Sequence, residues 1–228
     1  MSNMEKVMTE KEKLLEDKDE IKNLRKNRIL QSAFTFFSEK GIDTIAMTDI
    51  AKDAEIGVAS LYRYYETKDE IAIKTAMWAW ENQKEDIMPE IESADYEVKT
   101  GLEQLDFIFG KFVKLFENAP DFLRFIYFFD SYAVRTKIAQ ERLVDYEKMI
   151  GTVQEVVSKA INKGIEDGSI DKKYAKDEEE LYFTTMHSLF STAQKLTLNK
   201  NMLSIDSKTN GAEQLALLAK ILIAGIKA

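Results

Sequence analysis

Between Met47 and Lys68 the chain gathers side chains suited to grip anionic and polar partners: Thr48, Ser60, Tyr62, Arg63, Tyr64 and Lys68. Hydroxyls of this kind donate to phosphate oxygens. Arg63 can donate to phosphate or to a guanine edge, and Lys68 offers phosphate a point charge. Val58 and Ala59 are small and apolar, which suits contact with thymine methyls. Backbone amides at helix starts near Met47 and Lys68 are further anion donors. Catalytic arrangements are missing by comparison. The 228 residues include no cysteine and one histidine, His187, so thiolate metal sites, disulfides, cysteine nucleophiles and multi-histidine metal sites are excluded. There is no Gly-rich phosphate loop, no His-Glu-x-x-His and no nucleophile elbow. The 40 acidic residues guarantee carboxylate pairs by chance. The expectation is a chain that is not an enzyme, with no cofactor and no metal.

The elements that must position these groups are helices. Two prolines and nine glycines punctuate a chain dominated by helix formers, and alternating apolar patterns are scarce, so an all-α protein is expected. Residues 1–22 form a charged N-terminal extension. From Leu24, apolar residues recur at helical spacing to Phe37, and Gly41 suits the position after a helix end. Two short helices follow, around Met47–Ala54 and Val58–Tyr65, joined by Glu55-Ile56-Gly57, with Gly57 as the N-cap. Thr67 and Glu70 then form a capping box opening a helix that runs towards Met88 and ends near Pro89. Further helices are expected over Asp95–Glu117, from Pro120 onwards, over Arg142–Glu166, from Asp177 to about Leu198, and over Ala212–Lys227. Leu61 and Tyr65, four residues apart, can pack inward, which leaves Val58, Ala59, Arg63 and part of Ser60 facing outward.

A long helix, two short helices and a capped longer one describe a helix-turn-helix inside a small bundle. The run from Gly41 through Asp49-Ile50-Ala51 and Leu61-Tyr62 to Tyr65 and Lys68 resembles the DNA-binding domain of the TetR/AcrR family of bacterial transcriptional regulators. The resemblance covers about 50 residues, and the Gly164–Ile170 connection is similar to the family's link into its dimerisation helices. Two positions depart from the family pattern: Glu55 stands where glycine is usual, and Gly57 where serine or threonine is frequent. If position 55 needs a positive φ, glutamate there costs about 1 kcal/mol. The resemblance implies phosphate contacts by Thr48, Tyr62 and Lys68. It also implies a division into a helix-turn-helix domain over 23–73 and a larger ligand-binding and dimerisation domain over 74–228.

In that larger region ten aromatic residues crowd between Phe107 and Tyr132, too many for one narrow helical stripe. Some are expected to pack the core and others to line a cavity for an apolar or aromatic ligand, a cationic one included. The candidate lining residues are Trp78, Phe107, Phe112, Tyr127, Phe128, Tyr132 and His187, with an interior, hydrogen-bonded role as the competing reading of His187. Trp78 and Trp80 face different sides of one helix, so at most one reaches a cavity. The last helix carries one apolar stripe of Leu215, Leu218, Leu222 and Ile226 and a second of Leu217, Ile221 and Ala224. Two stripes imply two partners: its own domain and a second copy of the chain, through the two C-terminal helices.

A repressor released from a palindromic duplex-DNA operator by a small molecule fits all of this. A DNA-binding architectural protein without an inducer is the alternative, which a solid core would favour. Taken as a single sum, the net charge of −8 opposes DNA as a partner. Yet Lys22–Lys74 carries 9 basic against 8 acidic residues, so the acidity lies elsewhere. No apolar run is long enough to span a membrane, and a cytoplasmic location is expected.

Overall fold

The computed structural model describes residues 10–199, 202, 204 and 208–228, with the side chains of 10–18 left aside. The first nine residues of the expected N-terminal extension therefore lie outside the described residues, as does part of the polar connection after Asn199. The architecture is all-helical. Among the described residues the only bridge of strand type joins Ile170 to Lys227, and no helix is long and apolar enough to cross a membrane.

Helix α1 (Glu10–Lys40) is one continuous 31-residue helix, so residues 10–22 of the extension belong to α1. Its end is set by Gly41, whose φ of +78° suits glycine. Helices α2 (Met47–Asp53) and α3 (Val58–Tyr64) follow, and then α4 (Lys68–Ile91). The first three pack around Ile29, Phe37, Ile50 and Leu61, all fully buried. Helix α4 ends at Ile91, two residues past Pro89, near the expected end. Pro89 is exposed and lies in the last turn of α4, where its missing N–H removes one i→i−4 bond.

The single helix expected over 95–117 is two: α5 (Ala94–Glu97) and α6 (Gly101–Asn118). Thr100 and Glu103 restart the chain with a full capping box, Thr100 accepting from Glu103 N–H at 3.3 Å and Glu103 accepting from Thr100 N–H at 2.8 Å. Pro120 opens α7 (Pro120–Thr136) as expected. The helix expected from Arg142 begins later, after a 3₁₀ turn over Gln140–Arg142, as α8 (Val144–Asp167). Then come α9 (Glu178–Leu198) and α10 (Gly211–Ile226).

Helices α6 and α8 meet without side chains between them. A Cβ on Gly101 would stand 1.9 Å from Gly164 N, and one on Gly164 would stand 2.5 Å from the Ile170 side chain. The contact is locked by polar groups as well: Gly101 N–H donates to the Asp167 carboxylate at 2.8 Å and Leu102 N–H to Ser169 Oγ at 3.1 Å.

Candidate nucleic-acid interface and apolar cleft

The helix-turn-helix is built from two short helices whose burial is one-sided. Helix α2 buries Met47, Ile50 and Ala51. Its first amide partner is supplied by Asp49, whose carboxylate accepts from Ala46 N–H at 3.1 Å. Helix α3 buries only Leu61 and is followed by buried Tyr65, the i, i+4 pair expected to face inward. The outward face of α3 is correspondingly open: Val58 is 39% exposed and Tyr62 47%. Ala59 and Arg63 are exposed, and Ser60 and Tyr64 are half-buried. Arg63 donates to Ser60 Oγ at 2.9 Å, which holds the guanidinium along the helix face. Gly57 is the N-cap of α3, in extended backbone. Thr48 is exposed at the start of α2, whereas the Met47 side chain is buried, so only its backbone is available.

The turn between the helices keeps a left-handed residue. Glu55 has φ +54°, the conformation that glycine occupies without strain. Its carboxylate reaches back to Arg28 of α1 at 2.5 Å. The departure from glycine thus leaves the turn's shape intact and adds a tie to the preceding helix.

At the start of α4, Thr67 caps the helix by accepting from Glu70 N–H at 3.2 Å. Glu70 reaches back one residue further than a capping box requires, to Glu66 N–H at 2.8 Å. Lys68 is half-buried and donates to the Asp43 carbonyl at 2.9 Å. Burial pulls its pKa below the ordinary lysine value, against the opposing pull of Asp43. The same corner is tied to the rest of the molecule. Tyr132 donates to Asp69 at 2.6 Å, Arg142 donates to Asp69 at 2.8 Å and to Thr67 Oγ1 at 2.8 Å, and Arg135 pairs with Asp43.

A second feature is an apolar cleft of about 90 Å³ walled by four helices. The C-terminal half of α4 supplies Trp80, Ile87 and Met88, α6 supplies Ile108 and Phe112, α8 Val153 and Val157, and α9 Met186 and Phe190. Trp80 is fixed edge-on against Phe122, with centroids 4.9 Å apart, and donates to Tyr146 Oη at 3.3 Å. Lys84 and Lys111 also line the cleft, each paired with an exposed carboxylate, Glu81 and Glu90 respectively.

Of the seven residues expected to line a cavity, only Phe112 reaches this cleft. Trp78 packs against Phe34 of α1, 5.7 Å between ring centroids, and Trp80 takes the cleft instead. Phe107 stacks edge-on with Tyr96. Phe128 lies against Gly41, and Tyr132 is engaged with Asp69. Tyr127 is 41% exposed. His187, expected inside, lies on the outer surface of α9, beside exposed Phe183. The missed residues do carry a signal: Trp80, Lys84, Ile87, Met88 and Ile91 follow one helical stripe, and so do Ile108, Phe112 and Leu115. The crowded aromatics between Phe107 and Tyr132 are the louder signal in the sequence, but most of them pack elsewhere.

Residues 29–74 match the family described as bacterial regulatory proteins, tetR family. Over 50 residues the chain is 46% identical to the biofilm operon icaADBC HTH-type negative transcriptional regulator IcaR of Staphylococcus epidermidis, covering 22% of this chain and 27% of that one. To IcaR of Staphylococcus aureus strain Newman it is 29% identical over 103 residues, 42% of this chain and 55% of that one. The chain thus spans between about a quarter and about half the length of these curated relatives. Among solved structures, the fatty acid degradation regulator FadR of Bacillus halodurans superposes with a TM-score of 0.65 at 14% identity, covering 87% of this chain and 94% of that one. FadR of Bacillus subtilis in complex with stearoyl-CoA gives a TM-score of 0.62 at 19% identity, covering 87% and 98%. These likenesses are of fold.

Proposed function

From the match of residues 29–74 to the tetR family and a fold similar to that of solved TetR-family regulators, we propose that the chain is a homodimeric, DNA-binding transcriptional repressor released from its operator by a small apolar ligand. The observation that carries this reading is α4. Its first residues sit beside the helix-turn-helix, and its last three turns wall the apolar cleft, with no break between. A ligand that wedges between Trp80, Ile87 and Phe112 therefore pushes on the element that carries Lys68 and Thr67.

The assigned contacts follow from exposure. Val58, Ala59 and Arg63 meet base edges in the major groove. Thr48, Ser60, Tyr62, Tyr64 and Lys68, with the amides near Met47 and Gly57, hold phosphates. The first domain ends near residue 73 and the ligand-binding and dimerisation domain follows, although both division points, at 22 and 73, lie inside continuous helices. Dimerisation through α9 and α10 is supported by the second apolar stripe of α10, where Leu217 and Ile221 are each 58% exposed, and by Phe183 on α9. The lining is mainly apolar, which favours an apolar ligand body, and Lys84 and Lys111 are each paired with a carboxylate, Glu81 and Glu90. The ligand bound in one fold relative, stearoyl-CoA, also carries a long apolar body.

Thermal-shift screening against apolar and amphipathic anionic compounds, followed by duplex-binding assays with each stabilising compound, tests the reading. At least one compound is expected to raise the melting temperature and weaken DNA binding together. Stabilisation with unchanged DNA affinity for every such compound would contradict it and favour the architectural alternative.

A further inference from the structure

An open cleft of about 560 Å³ lies beside α3, and one of its walls is α1 rather than the helix-turn-helix. Lys22 and Arg25 of α1 face Gly57, Ser60, Arg63 and Tyr64 across it. Lys22 and Arg25 are three residues apart on one helix face, are exposed, and pair with no carboxylate among the described residues. Arg63 likewise has only a hydroxyl partner, Ser60. The one carboxylate lining the cleft, Glu55, is neutralised by Arg28. Three uncompensated cations therefore converge on a cleft whose other wall is α3, the helix that faces base edges.

We infer that this cleft holds the phosphodiester backbone of duplex DNA flanking the base-contacting segment, with Lys22 and Arg25 as two additional phosphate contacts from α1. The inference rests on the DNA-binding function proposed above and extends its footprint beyond the helix-turn-helix. Charge complementarity selects the occupant: three cations and the hydroxyls of Ser60 and Tyr64 suit an anionic, extended ligand, and the neighbouring outward face of α3 requires that ligand to be the same duplex. The segment Lys22–Lys74 is nearly neutral in sum, with 9 basic against 8 acidic residues, and the cleft gathers three of those basic residues, Lys22, Arg25 and Arg63, on one side of it.

Binding of a labelled random-sequence duplex of about 40 base pairs is measured by anisotropy between about 50 and 200 mM potassium chloride. Three proteins are compared: the full chain, Lys22→Ala/Arg25→Ala, and a charge-matched control, Lys114→Ala/Lys148→Ala, on the exposed faces of α6 and α8. The cleft variant is expected to lose roughly tenfold in affinity near 0.1 M salt, and the slope of log affinity against log salt is expected to fall by about 2. The control keeps the parental slope. Unchanged slope and affinity in the cleft variant, with the parent binding normally, overturns this inference and leaves the DNA-binding function standing. Equal losses in both variants also overturn it, because overall charge rather than a local contact would then be at work. Failure of the parent to bind any duplex overturns both.

Discussion

Lys68 is the residue whose surroundings say most about its task. Its ammonium is held by the Asp43 carbonyl rather than by a carboxylate, so the charge is placed but not cancelled. Lys68→Ala is expected to weaken binding to all DNA sequences alike and to lower the salt slope by about 1; a sequence-selective loss in the same titration would contradict a phosphate role. Leu61, fully buried under the helix-turn-helix, carries a structural prediction: Leu61→Ala is expected to cost about 2–5 kcal/mol in denaturant unfolding. Alkaline pH offers a third. Burial pushes the Tyr65 hydroxyl up to about 12, with Glu70 and Tyr64 adding to the effect, and burial with Glu97 does the same for Tyr96. Both phenols bind their protons more tightly folded than unfolded, where the value is 10.0. Their contribution is therefore complete below pH 10 and is lost as pH rises towards 12. Melting temperatures are expected to fall across that window, and to fall less in Tyr96→Phe. At this scale the inward pair Leu61 and Tyr65 was legible from spacing alone. The Met47 side chain was not, because the first residue of a seven-residue helix has no periodicity to assign its face.

Elements fail or succeed in the sequence according to whether their ends are marked. The Thr67 cap and the Pro120 start are marked and stand where expected. The interruption between α5 and α6 is marked too, by Thr100 and Glu103, but the apolar rhythm either side of it reads as one helix. Gly101 and Gly164 show what pattern reading leaves out. Their value lies in a close approach of α6 and α8 between residues 63 apart in sequence, which only the assembled fold reveals. Gly101→Ala places a methyl carbon within 1.9 Å of backbone that cannot move aside. The variant is expected to lose more than about 3 kcal/mol or to fail to fold, whereas Gly110→Ala on the same helix, with open space around it, is expected to be neutral or slightly stabilising. Comparable melting of the two variants would contradict the close approach. The apolar cleft was half legible: a cavity in the larger helical region was expected, but the cleft's walls are mainly aliphatic, and aliphatic stripes are indistinguishable from ordinary core in one sequence.

At the scale of the whole molecule, an acidic chain is reconciled with DNA by where its charges lie and by duplication. A motif with a net charge near zero binds weakly alone, so two copies held at a fixed spacing must supply the affinity. Leu217→Glu with Ile221→Glu, on the exposed stripe of α10, is expected to give a monomer in sedimentation and to lose operator binding by a hundredfold or so while leaving helix content intact. A monomer with undiminished DNA affinity would contradict that arrangement. The central claim is that the outward face of α3, presented twice, reads a duplex. The most direct measurement is selection of bound duplexes from a random library, run in parallel on the parent chain and on Tyr62→Ala/Arg63→Ala. The parent is expected to enrich an inverted repeat whose half-sites lie about 34–36 Å apart or a multiple of that, and the variant to lose the enrichment. No enriched repeat, or the same repeat from both proteins, would contradict it.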